Sequence, residues 1–233
     1  MAQNPPVVEA TPNGPYRVTG VSRILWREPV TTEEGEPVTW RDLAVVADAD
    51  DEYWLCRCGQ SANKPFCDSS HRRVEFQASD TADPGPRAER AKEYGSGQVR
   101  LVDDRGLCVH TGFCATKLTN AWKLAQDDLD AAGQTQVVGM AQHCPSGAIS
   151  VRVEGDETEP HLASEIVVVP DGPLWATGGV RVMRSDGTPL EVRNRITLCR
   201  CGASDTKPLC DGSHSKIGFS SRPSSSGDSD AKV

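Results

Sequence analysis

"LCRCGQSANKPFCDSSH" (residues 55–71) and "LCRCGASDTKPLCDGSH" (residues 198–214) align without a gap. Each reads C-x-C-x8-C-x3-H, so the candidate metal ligands are Cys56, Cys58, Cys67 and His71 in the first copy and Cys199, Cys201, Cys210 and His214 in the second. The spacing has physical content. Alternate residues of an extended segment point to one side, so two cysteines separated by one residue can chelate one metal. Pro65 and Pro208 stiffen the chain before the third cysteine. Asp68 and Asp211 are good helix N-caps, and a capped helical turn carries the histidine to the same side. Gly59 and Gly202 are expected to let the backbone approach the metal closely. Ser61 and Ser204 are expected to donate hydrogen bonds to the bound group.

Working outward, the chain has 233 residues, of which 37% are hydrophobic and only 5% aromatic. That is thin for a single apolar core of this size and favours small modules with metal staples. A net charge of −8 argues against a nucleic-acid partner, which needs a basic face. No apolar run reaches the length of a membrane span, and "MAQNPPVVEATPNGP" (1–15) reads as neither a secretory signal nor a mitochondrial leader, so a cytoplasmic protein is expected. The nine cysteines are an odd number, which weakens a disulfide framework. They fall into three groups of three, the middle group being Cys108, Cys114 and Cys144.

The repeat extends upstream. "PNGPYRVTGV" (12–21) resembles "PDGPLWATGGV" (170–180), each a turn followed by a β-prone run. The first copy is longer, with an insertion expected in "REPVTTEEGEPVTWRD" (27–42) as a hairpin. The expected units are 12–79, 98–154 and 166–221, with a polar linker over 78–97 and a disordered Ser-rich tail over 222–233. Strands are expected at 16–26, 39–47, 98–102, 148–153, 166–169, 173–183 and 190–198, and helices at 112–124 and 135–143. The acidic runs at 48–52 and 127–130 read as solvated faces.

A structural zinc site is the competing reading of the outer motifs, since Cys3His is an accepted zinc set. Zinc modules usually use C-x2-C or C-x4-C rather than C-x-C. The pattern C-x-C-x2-S-x3-P-x-C-D-x2-H resembles the CDGSH iron–sulfur family, which includes the mitoNEET-like proteins. The second copy contains CDGSH literally at 210–214, and the first has Ser69 in place of the glycine. The resemblance implies a [2Fe–2S] cluster in each copy, with two cysteines on one iron and the third cysteine and the histidine on the other. Two motifs in one chain resemble the tandem type, which implies that the copies pair as an internal pseudo-dimer.

The middle cysteines read C-x5-C-x29-C-P. A bacterial ferredoxin run is C-x2-C-x2-C-x3-C-P, and Thr111 stands where its second cysteine would be. The segment resembles a divergent single-cluster ferredoxin domain. Three thiolates suit [3Fe–4S]; a [4Fe–4S] cluster would need a further ligand, with His110 and His143 as candidates.

The expected fold class is therefore α+β and β-rich: two CDGSH-type β modules pairing as a pseudo-dimer, with a small ferredoxin-like α+β domain between them. No nucleotide-binding loop or nucleophile elbow is present, so no enzyme is expected. The expected function is electron transfer through two [2Fe–2S] clusters and one [3Fe–4S] or [4Fe–4S] cluster. The expected partners are redox proteins, either a reductase or a ferredoxin-accepting enzyme, with no nucleic acid and no membrane; the chain is expected to be monomeric. The alternatives are a cluster donor, a redox or iron sensor, and a structural zinc protein.

Overall fold

The computed structural model describes residues 5–48, 52–126 and 129–223. Most of the expected tail and parts of both acidic runs lie outside the described residues. In chain order the first copy forms β1 (Val7–Ala10), β2 (Tyr16–Thr19), β3 (Arg23–Thr31), β4 (Pro37–Asp48), β5 (Glu52–Leu55) and the single turn α1 (Ser70–Arg73). The middle unit forms β6 (Lys92–Tyr94), β7 (Val99–Asp103), α2 (Ala121–Gln126), α3 (Ala131–Gln142), β8 (Ile149–Val153) and β9 (Asp156–Thr158). The second copy forms β10 (Ile166–Val168), β11 (Leu174–Thr177), β12 (Arg181–Met183), β13 (Arg195–Leu198) and α4 (Ser213–Lys216). The protein is β-rich α+β, as the sequence implies.

The two outer copies exchange a strand. One sheet has the order β12-β1-β2-β5 and the other β13-β11-β10-β3-β4. Thus β12 of the second copy pairs in parallel with β1, Val8 opposite Val182, and β3 of the first copy pairs in parallel with β10, Ile24 opposite Ile166. Each copy's third strand completes the other's sheet. One core follows, with Val8, Val18, Ile24 and Leu55 packed among Ile166, Val168, Leu174, Val182 and Leu198. Each such side chain is worth about 1.5–3 kcal/mol on burial, so neither copy can keep that energy alone.

The sheets differ in how their outer faces are covered. β1 and β2 alternate between buried and half-buried positions, while β10, β11 and β13 are buried at every residue. The expected insertion is the β3–β4 hairpin, and it supplies part of the second sheet's cover. Trp40 stacks on Trp175, with ring centroids 5.0 Å apart, and on Phe113 at 4.9 Å. Its indole N–H donates to the His143 carbonyl at 2.9 Å. The hairpin is thus a clasp between the first copy, the second and the middle unit.

Several expectations need correction, among them the single strand over 173–183, which divides into β11 and β12. The segment 16–26 divides into β2 and β3, and β1 lies before the boundary drawn at residue 12. The segment 78–97 is not a free linker: Asp80 pairs with the buried Arg57, and the amides of Thr81 and Ala82 donate to the Lys207 carbonyl at 2.8 and 3.0 Å. Buried Arg57 needs an acid, and the small neighbours of Asp80 let that stretch lie flat. β6, at its end, joins the middle sheet β6-β7-β8-β9. Finally, helix over 112–124 begins only at Ala121. Residues before it turn tightly around Cys114, with Gly112 at φ 89 and a bridge between Ala115 and Asn120. The other helix is longer than expected because Asp130 caps it, accepting from the Gly133 amide at 2.9 Å.

Candidate metal centres

β5 runs directly into Cys56 and Cys58, and β13 into Cys199 and Cys201. Each strand ends just before its pair, with a bend at Arg57 in the first copy, and the two sulfurs of each pair lie close together. Sγ–Sγ separations are 3.8 Å in the first copy and 3.7 Å in the second. The chain then returns: the Cys56 amide bonds the Pro65 carbonyl at 2.8 Å and the Cys199 amide bonds the Pro208 carbonyl at 2.9 Å. Both Lys-Pro bonds are cis.

Asp68 and Asp211 are not the N-caps expected: Ser69 and Gly212 hold those positions without a side-chain cap, and each aspartate lies one residue earlier. Each takes the amide of the first residue of the following turn, Ser70 or Ser213, at 2.9 Å, and its second oxygen takes an amide of the preceding loop at 2.8 Å. The residues between, Ser69 (φ 68) and Gly212 (φ 85), are left-handed. That kink points each histidine back at its cysteine. Nδ1 of His71 lies 3.5 Å from the Cys67 sulfur, and Nδ1 of His214 lies 3.3 Å from the Cys210 sulfur.

These separations test what the residues fit. Two thiolates about 2.3 Å from one tetrahedral metal lie about 3.8 Å apart, and a thiolate and an imidazole nitrogen slightly closer. Each motif therefore offers two pairs, each spaced for one metal. Among the described residues, no three or more His, Cys, Asp or Glu side chains gather around a single ion position. Two pairs spaced for two metals suit a two-iron cluster better than one zinc.

The thiols carry the electrostatic cost of this arrangement. The Cys58 thiol hydrogen-bonded to Cys56 pulls Cys56 down, to about 6, and Cys58 itself is pushed up. Cys201 does the same for Cys199, also about 6. Burial pushes Cys67 up and Cys210 up further, to about 12. So one thiolate of each pair forms readily and the others do so only with a cation to offset them, and metal loading must release protons. Burial, and then the Arg200 charge, hold His214 below the usual imidazole range, which favours the neutral form a ligand needs.

One sequence expectation fails here, and another gains a second cause. Gly59 and Gly202 bring their backbone to the Cys56 and Cys199 sulfurs, and each is also required by the other's motif. A Cβ on Gly59 would lie 2.4 Å from the Cys201 carbonyl oxygen, and one on Gly202 would lie 2.7 Å from that of Cys58. Cys58 and Cys201 form a backbone bridge there, joining the two motifs directly. The Ser61 and Ser204 hydroxyls do not point at the cluster position. They donate to the Phe66 and Leu209 carbonyls, each at 2.7 Å, and so shape the loop.

Residues that sequence reasoning missed are the arginines between the paired cysteines, although both copies print Cys-Arg-Cys. Arg57 donates to the Thr11 carbonyl at 3.1 Å and pairs with Asp80. Arg200 donates to the Gly172 and Val169 carbonyls, both at 2.7 Å. Each ties its motif to the Pro-Asn/Asp-Gly-Pro turn region of its own copy, and Arg200 also places a positive charge beside the thiolates. Tyr16 has no counterpart in the repeat. Its hydroxyl lies 2.8 Å from the Cys199 carbonyl and 2.9 Å from the Pro208 carbonyl, bracing the second motif from the first.

The outer sites are not equally covered. Cys210 is 2% exposed, whereas Cys67 is half-buried. Cys67, Ser69 and His71 open on a cleft with Trp54 and the 11–15 turn, and Trp54 is itself 40% exposed, so it shields that site only in part.

Cys108, Cys114 and Cys144 do converge, lining a cavity of ≈ 240 Å³ with His110, Thr111 and Phe113. A water occupies about 30 Å³ of liquid, so the space suits a multi-atom group. Burial, with the neighbouring Cys144 and Cys108 thiolates, pushes Cys114 up to about 11. His143 is turned away: its Nδ1 is 2.7 Å from the Gly139 carbonyl and its ring stacks on Phe113. Arg195 anchors the site to the second copy, its guanidinium reaching the Ala141, Gln142 and Cys144 carbonyls at 2.7–2.8 Å.

Residues 13–72 and 171–215 both match the family described as "iron-binding zinc finger CDGSH type". Residues 94–154 match the one described as "divergent 4Fe-4S mono-cluster". The chain carries two CDGSH iron-binding domains around a divergent 4Fe-4S mono-cluster domain. It is an iron–sulfur protein. CDGSH domains bind clusters of the [2Fe–2S] type, and the middle domain indicates a [4Fe–4S] type. No curated protein matched the chain as a relative. Among the described residues no helix is long and apolar enough to cross a membrane.

Proposed function

We propose that this protein is a three-cluster electron carrier for partner redox proteins. It would hold [2Fe–2S] clusters on Cys56, Cys58, Cys67 and His71 and on Cys199, Cys201, Cys210 and His214, and a three- or four-iron cluster on Cys108, Cys114 and Cys144. The supporting observation is the division of each outer motif into two one-metal pairs, built on strands of a single exchanged core. Bound clusters of these kinds supply one-electron chemistry. The residues around them set how easily it runs. His71 and His214 replace a thiolate by a neutral ligand, which makes the sites less anionic and raises their potentials. Arg200 acts in the same direction through its charge, and the reciprocal Gly59–Gly202 approach fixes the outer sites relative to each other.

Iron and sulfide analysis of the fully loaded protein should return about seven or eight irons per chain. Cys114→Ser should remove the middle cluster and leave the outer visible bands. Colourless protein binding only zinc would refute the proposal, and loss of every band in Cys114→Ser would refute separate sites.

A second reading, cluster donation, draws support from the open cleft at Cys67 and His71. Incubation of the loaded protein with an apo-ferredoxin separates the two. Transfer of electrons without iron supports the carrier; appearance of holo-ferredoxin supports the donor.

A further inference from the structure

His110, a candidate further ligand of the middle cluster in the sequence, stands between that centre and the second CDGSH motif. Its backbone is left-handed, with φ 59, an unusual state for a residue other than glycine. The fold keeps it there. Nδ1 of its ring faces the Cys108 sulfur at 3.9 Å. The opposite side of the ring faces the second CDGSH motif: a Cβ built on Gly212 would lie 3.0 Å from His110 Cδ2 and 3.4 Å from the Val109 carbonyl oxygen. Gly212 is the residue between the Cys210 and His214 ligands. One imidazole therefore touches the sulfur of one centre and the ligand loop of another.

The chemistry assigns its role. A thiolate bound to iron has no proton, so the ring nitrogen facing it must be the donor. Arg105 approaches the same sulfur, with its guanidinium nitrogen at 3.6 Å. Hydrogen bonds to a ligand sulfur stabilise the reduced, more negative state and raise the potential. Nδ1 faces the Cys108 sulfur itself, so the ring is placed to serve that sulfur. In the first copy the equivalent residue, Ser69, instead lines the cleft with Trp54 and the 11–15 turn.

We propose that His110 is a positioning residue that couples the middle centre to the second CDGSH centre, donating to the Cys108 thiolate and packing against the Gly212 loop. The second CDGSH centre is then the middle centre's neighbour through this contact. This rests on the carrier reading for its use, but the contact is measured without it, because a potential can be read whether the protein passes electrons or clusters.

The repeat supplies its own control. Ser69 proves that the left-handed position accepts serine, so Gly212→Ser should fold while pushing the ring away. His110→Gly removes the ring and keeps the backbone conformation. The test is an EPR-monitored redox titration of the loaded full-length protein. His110→Gly and Gly212→Ser should both move the middle-centre potential to more negative values, and Ser69→Gly should leave it in place. An unmoved potential in His110→Gly, or an equal shift in Ser69→Gly, would overturn the proposal. Loss of the middle cluster in His110→Gly with both outer clusters intact would also overturn it, because that outcome makes His110 a ligand.

Discussion

At the scale of single residues, the strongest demands come from backbone. Gly59 sits at φ +78 with the Cys201 carbonyl where a side chain would go. Alanine there adds about 1–2 kcal/mol for the left-handed backbone alone, before any movement of Cys201. Gly59→Ala and Gly202→Ala should each lower the melting temperature by several degrees and disturb both outer clusters together; thermal unfolding followed by visible absorbance reads both effects. The histidines set the response to acid. Burial and Arg200 lower the His214 pKa in the folded state, so a released imidazole binds protons more readily than the folded one. Its contribution to stability is present above about pH 6.5 and is lost as pH falls toward the lower folded value. Proton competition for the ligand adds in the same sense. Cluster absorbance should decay faster at pH 5.5 than at pH 8, the exposed first site leading, and the His71→Cys, His214→Cys double variant should lose most of that difference. Equal decay at both pH values in the unaltered protein would show that the histidines are not ligands. The candidate ligands were legible in the sequence because spacing carries them. Hydroxyl targets were not: Ser61 and Ser204 look free until the Phe66 and Leu209 carbonyls arrive from five residues on.

At the scale of elements, Arg195 makes the densest set of bonds across the join between the middle unit and the second copy. Arg195, 1% exposed, leaves β13 to gather carbonyls at the end of α3 and meets Glu159. Arg195→Met orphans those acceptors, a cost of about 2–4 kcal/mol. The middle cluster should become labile to chelator while the first CDGSH centre keeps its spectrum; uniform loss of all clusters would contradict this. Strand periodicity exposed most of the second copy but not β1 or β5. Those are four-residue strands whose stability comes from partners distant in sequence, β12 for β1 and β2 for β5. The stretch 78–97 misled because polarity resembles a linker, when its acid and its amides answer groups buried elsewhere.

At the scale of the whole molecule, strand exchange governs which pieces can exist. A fragment of residues 5–79 carries β1 and β3 but neither β12 nor β10. It should be unfolded or dimeric, each chain lending β3 to the other, as light scattering coupled to size exclusion would measure; a folded, cluster-bearing monomer would contradict the exchanged core. The pairing was legible from the repeat, while the exchange itself was not, because nothing local distinguishes a strand that stays from one that crosses. The exchange has a consequence for biosynthesis. Cys56, Cys58, Cys67 and His71 leave the ribosome before β12 has been translated, and Gly59 meets the Cys201 carbonyl only after the second motif has emerged. During that interval the first set of thiols is unprotected, so oxidants and stray metals compete for it. Lasting iron loading of the first motif should then wait for synthesis of the second.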